Sequence, residues 1–330
     1  MKLKLWYYNF WGTFKLLERS FTKYLMDNGY EFELDQENPD IIFFNSFGGP
    51  ITYNGNAIKI GYITEDVNRF REIFNKVQQN YFDLVIGNLP NLNQEKFCKH
   101  PLYIHSANYK EPSKEFMEKI NDMVKNTDPT KLKFCSFIAG HDMYNNRVPI
   151  YNFLSKINFI ECPGKLINNV KSFDEEGLSK RDYLKQFVFN ICPENHKGHE
   201  GYTSEKLPDA IASGCIPIYY GHTNDDQDSK IFNQKRILRY DPENQESVNL
   251  LFEKVSELVK DKSKLIEFYQ QPVFNKNAYS EINNMLEDWK SKFDKLVSRL
   301  ESKESLSFES ISNLKSNNNK KIDSIYYNIS

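Results

Sequence analysis

Short apolar runs alternate with amphipathic segments along most of the chain. Between the first two runs, apolar side chains recur at helical spacing from Phe14 to Leu25, and Gly29 is placed to end that helix. This alternation favours a mostly parallel sheet with helices on its faces. In the first half of the chain, the runs typical of strands are KLKLWYY (2–8), IIFFN (41–45), IKIGYI (58–63) and DLVIG (83–87).

The same alternation restarts after a polar, helix-like segment at 113–126, which ends in Thr127-Asp128-Pro129. We place a domain boundary there, which gives an N-terminal domain at 1–128 and a C-terminal domain at 129–300. Two βα domains in tandem predict a ligand site in the cleft between them, at the carboxyl ends of the strands. The strands expected in the second half lie at 133–140, 157–162, 187–192 and 215–221.

The C-terminal part of the chain contains two segments of different composition. A long apolar stripe at helical spacing, 282–300, is typical of a packing face, and this last helix could pack back on the N-terminal domain. Residues 301–330 are rich in Ser and Asn and have few apolar anchors. We therefore expect a polar, poorly ordered tail.

Composition excludes several classes of protein. Aromatic residues make up 15% of the 330 residues, which is too much apolar material for a mainly disordered chain. The net charge of −2 creates no field that would favour nucleic acid or anionic lipid as partner. The five cysteines include no Cys-x-x-Cys pair, which suggests buried free thiols in a reducing compartment. No apolar run reaches a membrane-spanning length, so we expect a soluble, cytoplasmic protein without a transmembrane segment.

The residues with the most chemical information lie at 187–221. An apolar strand, FVFNIC, runs directly into Pro193-Glu194-Asn195, and a loop containing two glycines leads to Thr203-Ser204-Glu205-Lys206 and a helix. Thr203 and Ser204 are good helix N-cap residues. A strand, a Gly-containing loop and a helix start that carries Lys206 are typical of phosphate binding. The same pattern also fits a plain capped helix.

Three blocks in this region together resemble a known signature. FNICPEN (189–195), YTSEK (202–206) and DAIASGCIPIYYG (209–221) resemble the donor-binding blocks of the α-1,3/1,4-fucosyltransferases, glycosyltransferase family 10. Upstream, the helix that carries Arg147 and the segment GYITED (61–66) are similar to further family blocks. The chain departs from the family at Pro193, where Phe is usual, at Thr203-Ser204, where Val-Thr is usual, and at Tyr220, where Trp is usual.

The resemblance implies an α/β fold of the GT-B type, in which two Rossmann-like βα domains face each other across a cleft. The N-terminal domain would bind the acceptor and the C-terminal domain the nucleotide sugar. The implied activity is that of an inverting α-1,3-fucosyltransferase. It would move fucose from GDP-fucose to an oligosaccharide or glycoconjugate that contains galactose and N-acetylglucosamine.

The resemblance also assigns residues to the donor site. Arg147 and Lys206 would neutralise the diphosphate, and these two cations make a catalytic metal or other cofactor unnecessary. Glu205 would accept hydrogen bonds from sugar hydroxyls. The remaining residues assigned to the donor pocket are Glu194, Asn195 and Tyr202.

Glu65 is the candidate general base, because it follows the strand at 58–63 and would face the cleft. Asp66 and Glu161 are the alternative carboxylates. Two other functions stay open: the same fold with another nucleotide-deoxyhexose, or a non-catalytic protein that binds glycan or nucleotide. Two polar clusters are weaker candidates for a metal site, Cys192 with His196 and His199, and Asp225 with Asp226 and Asp228.

Overall fold

The computed structural model describes residues 2–67, 69–89, 95–105, 113–198, 201–222 and 226–302, and within these ranges it contains two parallel β-sheets flanked by helices. The first sheet has the strand order β2-β1-β3-β4-β5-β6. Its strands are β1 (Lys2–Tyr8), β2 (Glu31–Leu34), β3 (Ile41–Phe44), β4 (Ile58–Ile63), β5 (Leu84–Gly87) and β6 (Phe97–Lys99).

The second sheet has the strand order β11-β10-β9-β7-β8. In both sheets the chain adds its second strand on one side of the first and then crosses to the other side. The order therefore reverses between β1 and β3 in the first sheet, and between β7 and β9 in the second. The strands of the second sheet are β7 (Lys133–Phe137), β8 (Ile160–Glu161), β9 (Phe187–Ile191), β10 (Ile216–Tyr219) and β11 (Leu238–Arg239).

The helices connect the strands and cover the faces of both sheets. Three short 3₁₀ helices, at Leu16–Glu18, Pro129–Lys131 and Gln234–Arg236, supplement them. The α-helices are α1 (Ser20–Asp27), α2 (Arg71–Gln78), α3 (Leu102–His105), α4 (Lys114–Asn126), α5 (Val148–Leu154), α6 (Lys180–Leu184), α7 (Lys206–Ala212), α8 (Asp226–Ile231), α9 (Gln245–Lys260), α10 (Lys262–Tyr269) and α11 (Ala278–Ser302).

The central strands are apolar on both faces because helices and loops cover both sides of a parallel sheet. All four residues of β3 are buried. Ile41 and Phe43 belong to a core cluster that extends into the second half of the chain, whereas Ile42 and Phe44 belong to a separate cluster on the other face. This alternation is the period of two that a pleated strand imposes.

The last helix, α11, follows the second sheet in the chain but packs against the first. The indole Nε1 of Trp289 donates a hydrogen bond to the carbonyl of Phe21 at 3.0 Å, and Trp289 is fully buried. The hydroxyl of Tyr24 donates to Glu287 at 2.7 Å. These contacts join the end of the described chain to its beginning.

Most predicted strands are present, but the first helix begins later in the structure than the apolar spacing from Phe14 predicts. The chain forms a 3₁₀ turn at Leu16–Glu18 and passes through an extended residue, Arg19, before α1 begins. The hydroxyl of Thr22 donates to the carbonyls of Leu16 and Arg19, which stabilises this break. The short strands β2, β6 and β11 were not predicted. The predicted tail at 301–330 lies outside the described residues beyond position 302.

Candidate functional site

A cavity of about 330 Å³ lies at the carboxyl edge of the second sheet, between β7 and β9. The strand order reverses at this point, which is where ligands bind in open α/β sheets. Among the predicted site residues, those that line the cavity are Arg147, Asn195, Glu205 and Lys206; the neighbouring lining comes from residues 137–141, residues 190–193 and Lys180.

Arg147 is held at the cavity by hydrogen bonds of its guanidinium and of its backbone. It is 4% exposed, and its guanidinium donates to the carbonyl of His141 at 2.7 Å and to the side-chain oxygen of Asn195. The carboxylate of Asp142 accepts from the backbone nitrogens of Arg147 and Val148 at the start of α5. Burial lowers the pKa of Arg147, while Glu194 and Asp142 oppose the shift. The guanidinium is therefore a fixed group at the cavity wall.

Lys206, the first residue of α7, lines the cavity in front of a fully buried carboxylate. Its Nζ lies 3.3 Å from Oε2 of Glu194. The same carboxylate accepts hydrogen bonds from the backbone nitrogen and hydroxyl of Ser204 and from the hydroxyl of Tyr219. Burial acts to lower the pKa of Lys206, but Glu194 and Glu205 together outweigh it and the net shift is upward. Glu194 thus lies behind Lys206 and is not part of the cavity lining.

Thr203 and Ser204, the residues predicted to cap α7, donate their hydroxyl protons to buried carboxylates. The N-cap position is Glu205, whose side chain makes no capping hydrogen bond. The hydroxyl of Ser204 is directed at Glu194, and the hydroxyl of Thr203 donates to the buried carboxylate of Asp228. Hydrogen bonds to a carboxylate are stronger than those to a neutral group, which explains why both hydroxyls donate their protons to carboxylates. The oxygen of the Ser204 hydroxyl also accepts from the backbone nitrogen of Lys206 at 3.3 Å.

Glu205 is at the mouth of the cavity, where its side chain is 49% exposed and lies 3.6 Å from Nζ of Lys206. Burial acts to raise the pKa of Glu205, but Lys206 and Lys180 outweigh it and the net shift is downward. Lys180 also lines the cavity, 2.8 Å from Asp209, and is a cavity residue that no sequence motif predicted. Nothing in the polar segment around Lys180 distinguishes it from a surface lysine.

Glu65 follows β4 in the first sheet and is half-buried. Burial raises its pKa, and the charges of Lys206 and Arg69 partly oppose the shift, whereas Glu205 adds to it. Lys206 and Glu205 of the second half of the chain are therefore close enough to act on the charge of Glu65. Its neighbour Asp66 contacts His196, which follows Asn195 of the cavity lining, so Glu65 lies near the loop that borders the cavity.

The two alternative carboxylates have structural partners. Asp66 is 1% exposed, and its Oδ2 lies 2.9 Å from Nε2 of His196. Glu161 accepts from Lys133 and from the hydroxyl of Tyr183, both at 3.0 Å. Asp66 and Glu161 are therefore each engaged by a neighbouring side chain.

Tyr202 is buried beside His196 and does not line the cavity. The two rings are nearly parallel, with centroids 6.4 Å apart. Burial raises the pKa of the Tyr202 hydroxyl, with smaller contributions from Glu194 and Glu65. Tyr202 therefore supports the loop that carries His196.

Neither candidate metal cluster is assembled in the described ranges. No group of three or more His, Cys, Asp or Glu side chains there has the arrangement of a metal site. Cys192 and the other four cysteines are buried free thiols. Asp228 accepts hydrogen bonds from Tyr103 and Thr203. His199 and Asp225 lie outside the described residues. Over these same ranges, no helix is both long enough and apolar enough to cross a bilayer.

The chain forms two parallel α/β units, with a charged cavity where the strand order of the second sheet reverses. This is a GT-B-like glycosyltransferase fold, and solved structures with a similar fold support the assignment. The fold is similar to that of a crystal structure of α1,3-fucosyltransferase with GDP-fucose, with a TM-score of 0.64 and 22% identity over 88% of this chain and 90% of that one. It is also similar to a crystal structure of α1,3-fucosyltransferase with GDP, with a TM-score of 0.62 and 21% identity over the same shares.

Sequence comparison agrees with the fold. The chain is 29% identical to the α-(1,3)-fucosyltransferase FucT of Helicobacter pylori in an alignment of 276 positions that covers 72% of this chain and 53% of that protein. The chain thus spans about half the length of this relative. No protein-family model matches the sequence. The resemblance to the fucosyltransferases of glycosyltransferase family 10 is confirmed by these relatives.

Proposed function

We propose that this protein is an inverting α-1,3-fucosyltransferase that uses GDP-fucose as donor. The observation that carries the proposal is the arrangement of two fixed cations, Arg147 and Lys206, in one cavity, with the half-buried carboxylate of Glu65 on the opposite sheet. Glycosyl transfer from a nucleotide sugar needs both parts: positive charge at a departing diphosphate, and a base at the attacking hydroxyl.

The reaction proceeds in one displacement at C1 of the fucose. An acceptor hydroxyl oxygen forms the new bond to C1 as the bond between C1 and the diphosphate oxygen breaks, and GDP leaves with that electron pair. The carboxylate of Glu65 takes the hydroxyl proton as the attack proceeds. Burial supports this role, because it raises the pKa of Glu65 and so makes its carboxylate a stronger base than an exposed glutamate.

Arg147 and Lys206 stabilise the developing charge on GDP. The planar guanidinium suits two phosphate oxygens at once, and the ammonium supplies a compact charge. Both groups are already held by protein contacts, so they need little reorganisation during the reaction. Glu205, at the mouth of the cavity, is placed to accept hydrogen bonds from the sugar hydroxyls.

The acceptor binds on the first sheet in this proposal. Aromatic rings lie at its carboxyl edge, where Phe47 packs against Trp11 and Phe70 with centroids 5.5 and 5.2 Å apart. Phe47 is 41% exposed, and Phe70 stacks with the guanidinium of Arg69, which acts on Glu65. Exposed aromatic faces suit the apolar face of a hexopyranose ring, as expected for a galactose- and N-acetylglucosamine-containing glycan.

The test of the donor is GDP release from the purified protein with GDP-fucose, measured with and without N-acetyllactosamine. We expect the acceptor to stimulate release. GDP binding without release from GDP-fucose would contradict the proposal, and a panel of other GDP- and UDP-linked sugars would then identify another donor. A protein that binds GDP but turns over no nucleotide sugar would be the non-catalytic alternative.

The test of the acceptor surface is the variant Phe47→Ala, with Phe159→Ala as the matched control. Phe159 is 60% exposed but lies beside β8 of the second sheet. We expect Phe47→Ala to raise the KM for N-acetyllactosamine without changing the KM for GDP-fucose, and Phe159→Ala to change neither. Equal effects of the two variants would exclude this acceptor surface.

A further inference from the structure

One polar contact joins the loop that carries the candidate base to the loop that carries the donor site. The Nε2 of His196 lies 2.9 Å from Oδ2 of Asp66. Asp66 directly follows Glu65, and His196 directly follows Asn195, which accepts a hydrogen bond from Arg147. We propose that Asp66 and His196 are positioning residues that hold Glu65 in register with Arg147 across the cleft; this inference rests on the proposed function.

The hydrogen bonds of His196 fix which of its ring nitrogens carries the proton. The backbone N–H of Gly198 donates to Nδ1 at 3.0 Å, so Nδ1 is an acceptor and has no proton. In the neutral ring the proton is then on Nε2, where it faces the carboxylate of Asp66. The contact is therefore a close polar approach of Nε2 to Oδ2 between the donor loop and the base-carrying loop, without the alignment of a full hydrogen bond.

Both ends of this contact are held in place. The ring of His196 packs against Tyr202, nearly parallel, and against Tyr144, edge to face with centroids 5.0 Å apart. On the other side, Asp66 is buried, and its carbonyl accepts from the backbone nitrogens of Arg69 and Phe70 at 3.1 and 3.2 Å. Because neither partner can turn away easily, a shift of one loop displaces the other.

Other contacts between the two halves of the site do not involve residues next to Glu65. The Nζ of Lys99 donates to the carbonyl of Gly201 at 3.0 Å, and the hydroxyl of Tyr103 donates to Asp228 at 2.9 Å. These contacts can hold the sheets together when the Asp66–His196 contact is lost. The loss should therefore misplace the base relative to the sugar and leave the donor pocket formed.

Two variants of similar size separate the positioning role from a general structural role. In His196→Gln the amide nitrogen reaches the place of Nε2 and keeps the contact with Asp66, whereas in His196→Asn the shorter side chain does not reach it. We expect His196→Asn to lower kcat by about 10²-fold, the cost of a misplacement near 1 Å, and to leave GDP affinity within about twofold. His196→Gln should recover most of the lost kcat.

Hydrogen exchange gives a second readout that does not depend on turnover. His196→Asn should speed exchange of the Arg69 and Phe70 amides, although these lie on the other sheet, whereas the control Lys99→Ala should not. Unchanged exchange at these amides in His196→Asn, or equal loss of kcat in the Asn and Gln variants, would overturn the inference. If the wild-type protein does not turn over GDP-fucose, the proposed function fails, and the exchange result alone decides whether the two loops are coupled.

Discussion

The Nζ of Lys206 and the carboxylate of Glu194 form an ion pair, at 3.3 Å, in which the carboxylate is fully buried and the ammonium reaches the cavity. Ser204 and Tyr219 satisfy the remaining oxygen positions of Glu194. A buried charge is tolerated only when it is paired and hydrogen-bonded. Glu194 therefore fixes the position and charge of Lys206, which is a different task from contact with the donor.

Replacing Glu194 with Gln should destabilise the protein and weaken GDP binding together. The substitution removes the counter-charge and leaves the ammonium of Lys206 partly buried, and removal of one partner from a buried pair costs about 3–5 kcal/mol. Chemical denaturation measures the free energy of unfolding. The control is Glu205→Gln, since Glu205 is half-exposed and should contribute under about 1 kcal/mol. Equal effects of the two variants on stability would contradict this account of Glu194.

Lys206→Ala and Arg147→Lys should each lower the affinity for GDP, measured by titration calorimetry. Lys206→Ala removes a cation from the cavity, and Arg147→Lys keeps the charge but loses the fork that donates to His141 and Asn195. Each loss should be on the order of 2 kcal/mol, or about 30-fold. Lys264→Ala is the control, because Lys264 lies in α10 and is paired with Glu257. Undiminished GDP affinity in both cavity variants would place the diphosphate elsewhere.

Activity should fall on acidification at a pH above the ordinary glutamate pKa of 4.5. Burial raises the pKa of Glu65, so the carboxylate that accepts the proton forms only when the pH exceeds this raised pKa. A pH profile of kcat/KM measures the acid limb. The stability effect has the opposite sign: the folded chain binds this proton more tightly than the unfolded chain, so the stabilisation is present at low pH and declines as pH rises through the raised pKa.

Glu65→Gln should remove this acid limb and lower kcat by about 10²- to 10⁴-fold, with GDP-fucose affinity almost unchanged. The amide has nearly the same shape but cannot take the proton. Full activity in this variant would exclude Glu65 as the base.

Gly87→Ala should be strongly destabilising, whereas Gly12→Ala should be nearly neutral. Gly87 ends β5 with a φ of +150°, and a Cβ there would lie 1.8 Å from the carbonyl oxygen of Ile63 on the neighbouring strand. We expect a loss of about 2–4 kcal/mol, from backbone strain and steric overlap. Gly12 has open space around its Cα. Thermal unfolding compares the two variants.

The central strands were predictable because they are buried on both faces. IIFF in β3 is apolar without interruption and IKIGYI in β4 is interrupted by a single charged residue, Lys59; the structure places strands over the same residues. Short edge strands gave no such signal. In β2, for example, one of the four residues is buried, so its sequence resembles that of a polar loop.

The sequence by itself determined the parallel α/β architecture and the resemblance to the fucosyltransferases. It also supplied the candidate site residues, of which Arg147, Asn195, Glu205 and Lys206 line one cavity in the structure. These features depend on local patterns of apolar residues and on motifs that are contiguous in the chain. Only the tertiary structure decided that Glu194 is buried behind Lys206 and that Lys180 reaches the cavity. It also decided that Asp66 meets His196, 130 positions further along the chain. The physical reason is that side-chain burial and charge pairing depend on which loops the folded sheets bring together, and contacts between residues so far apart leave no local pattern in the sequence.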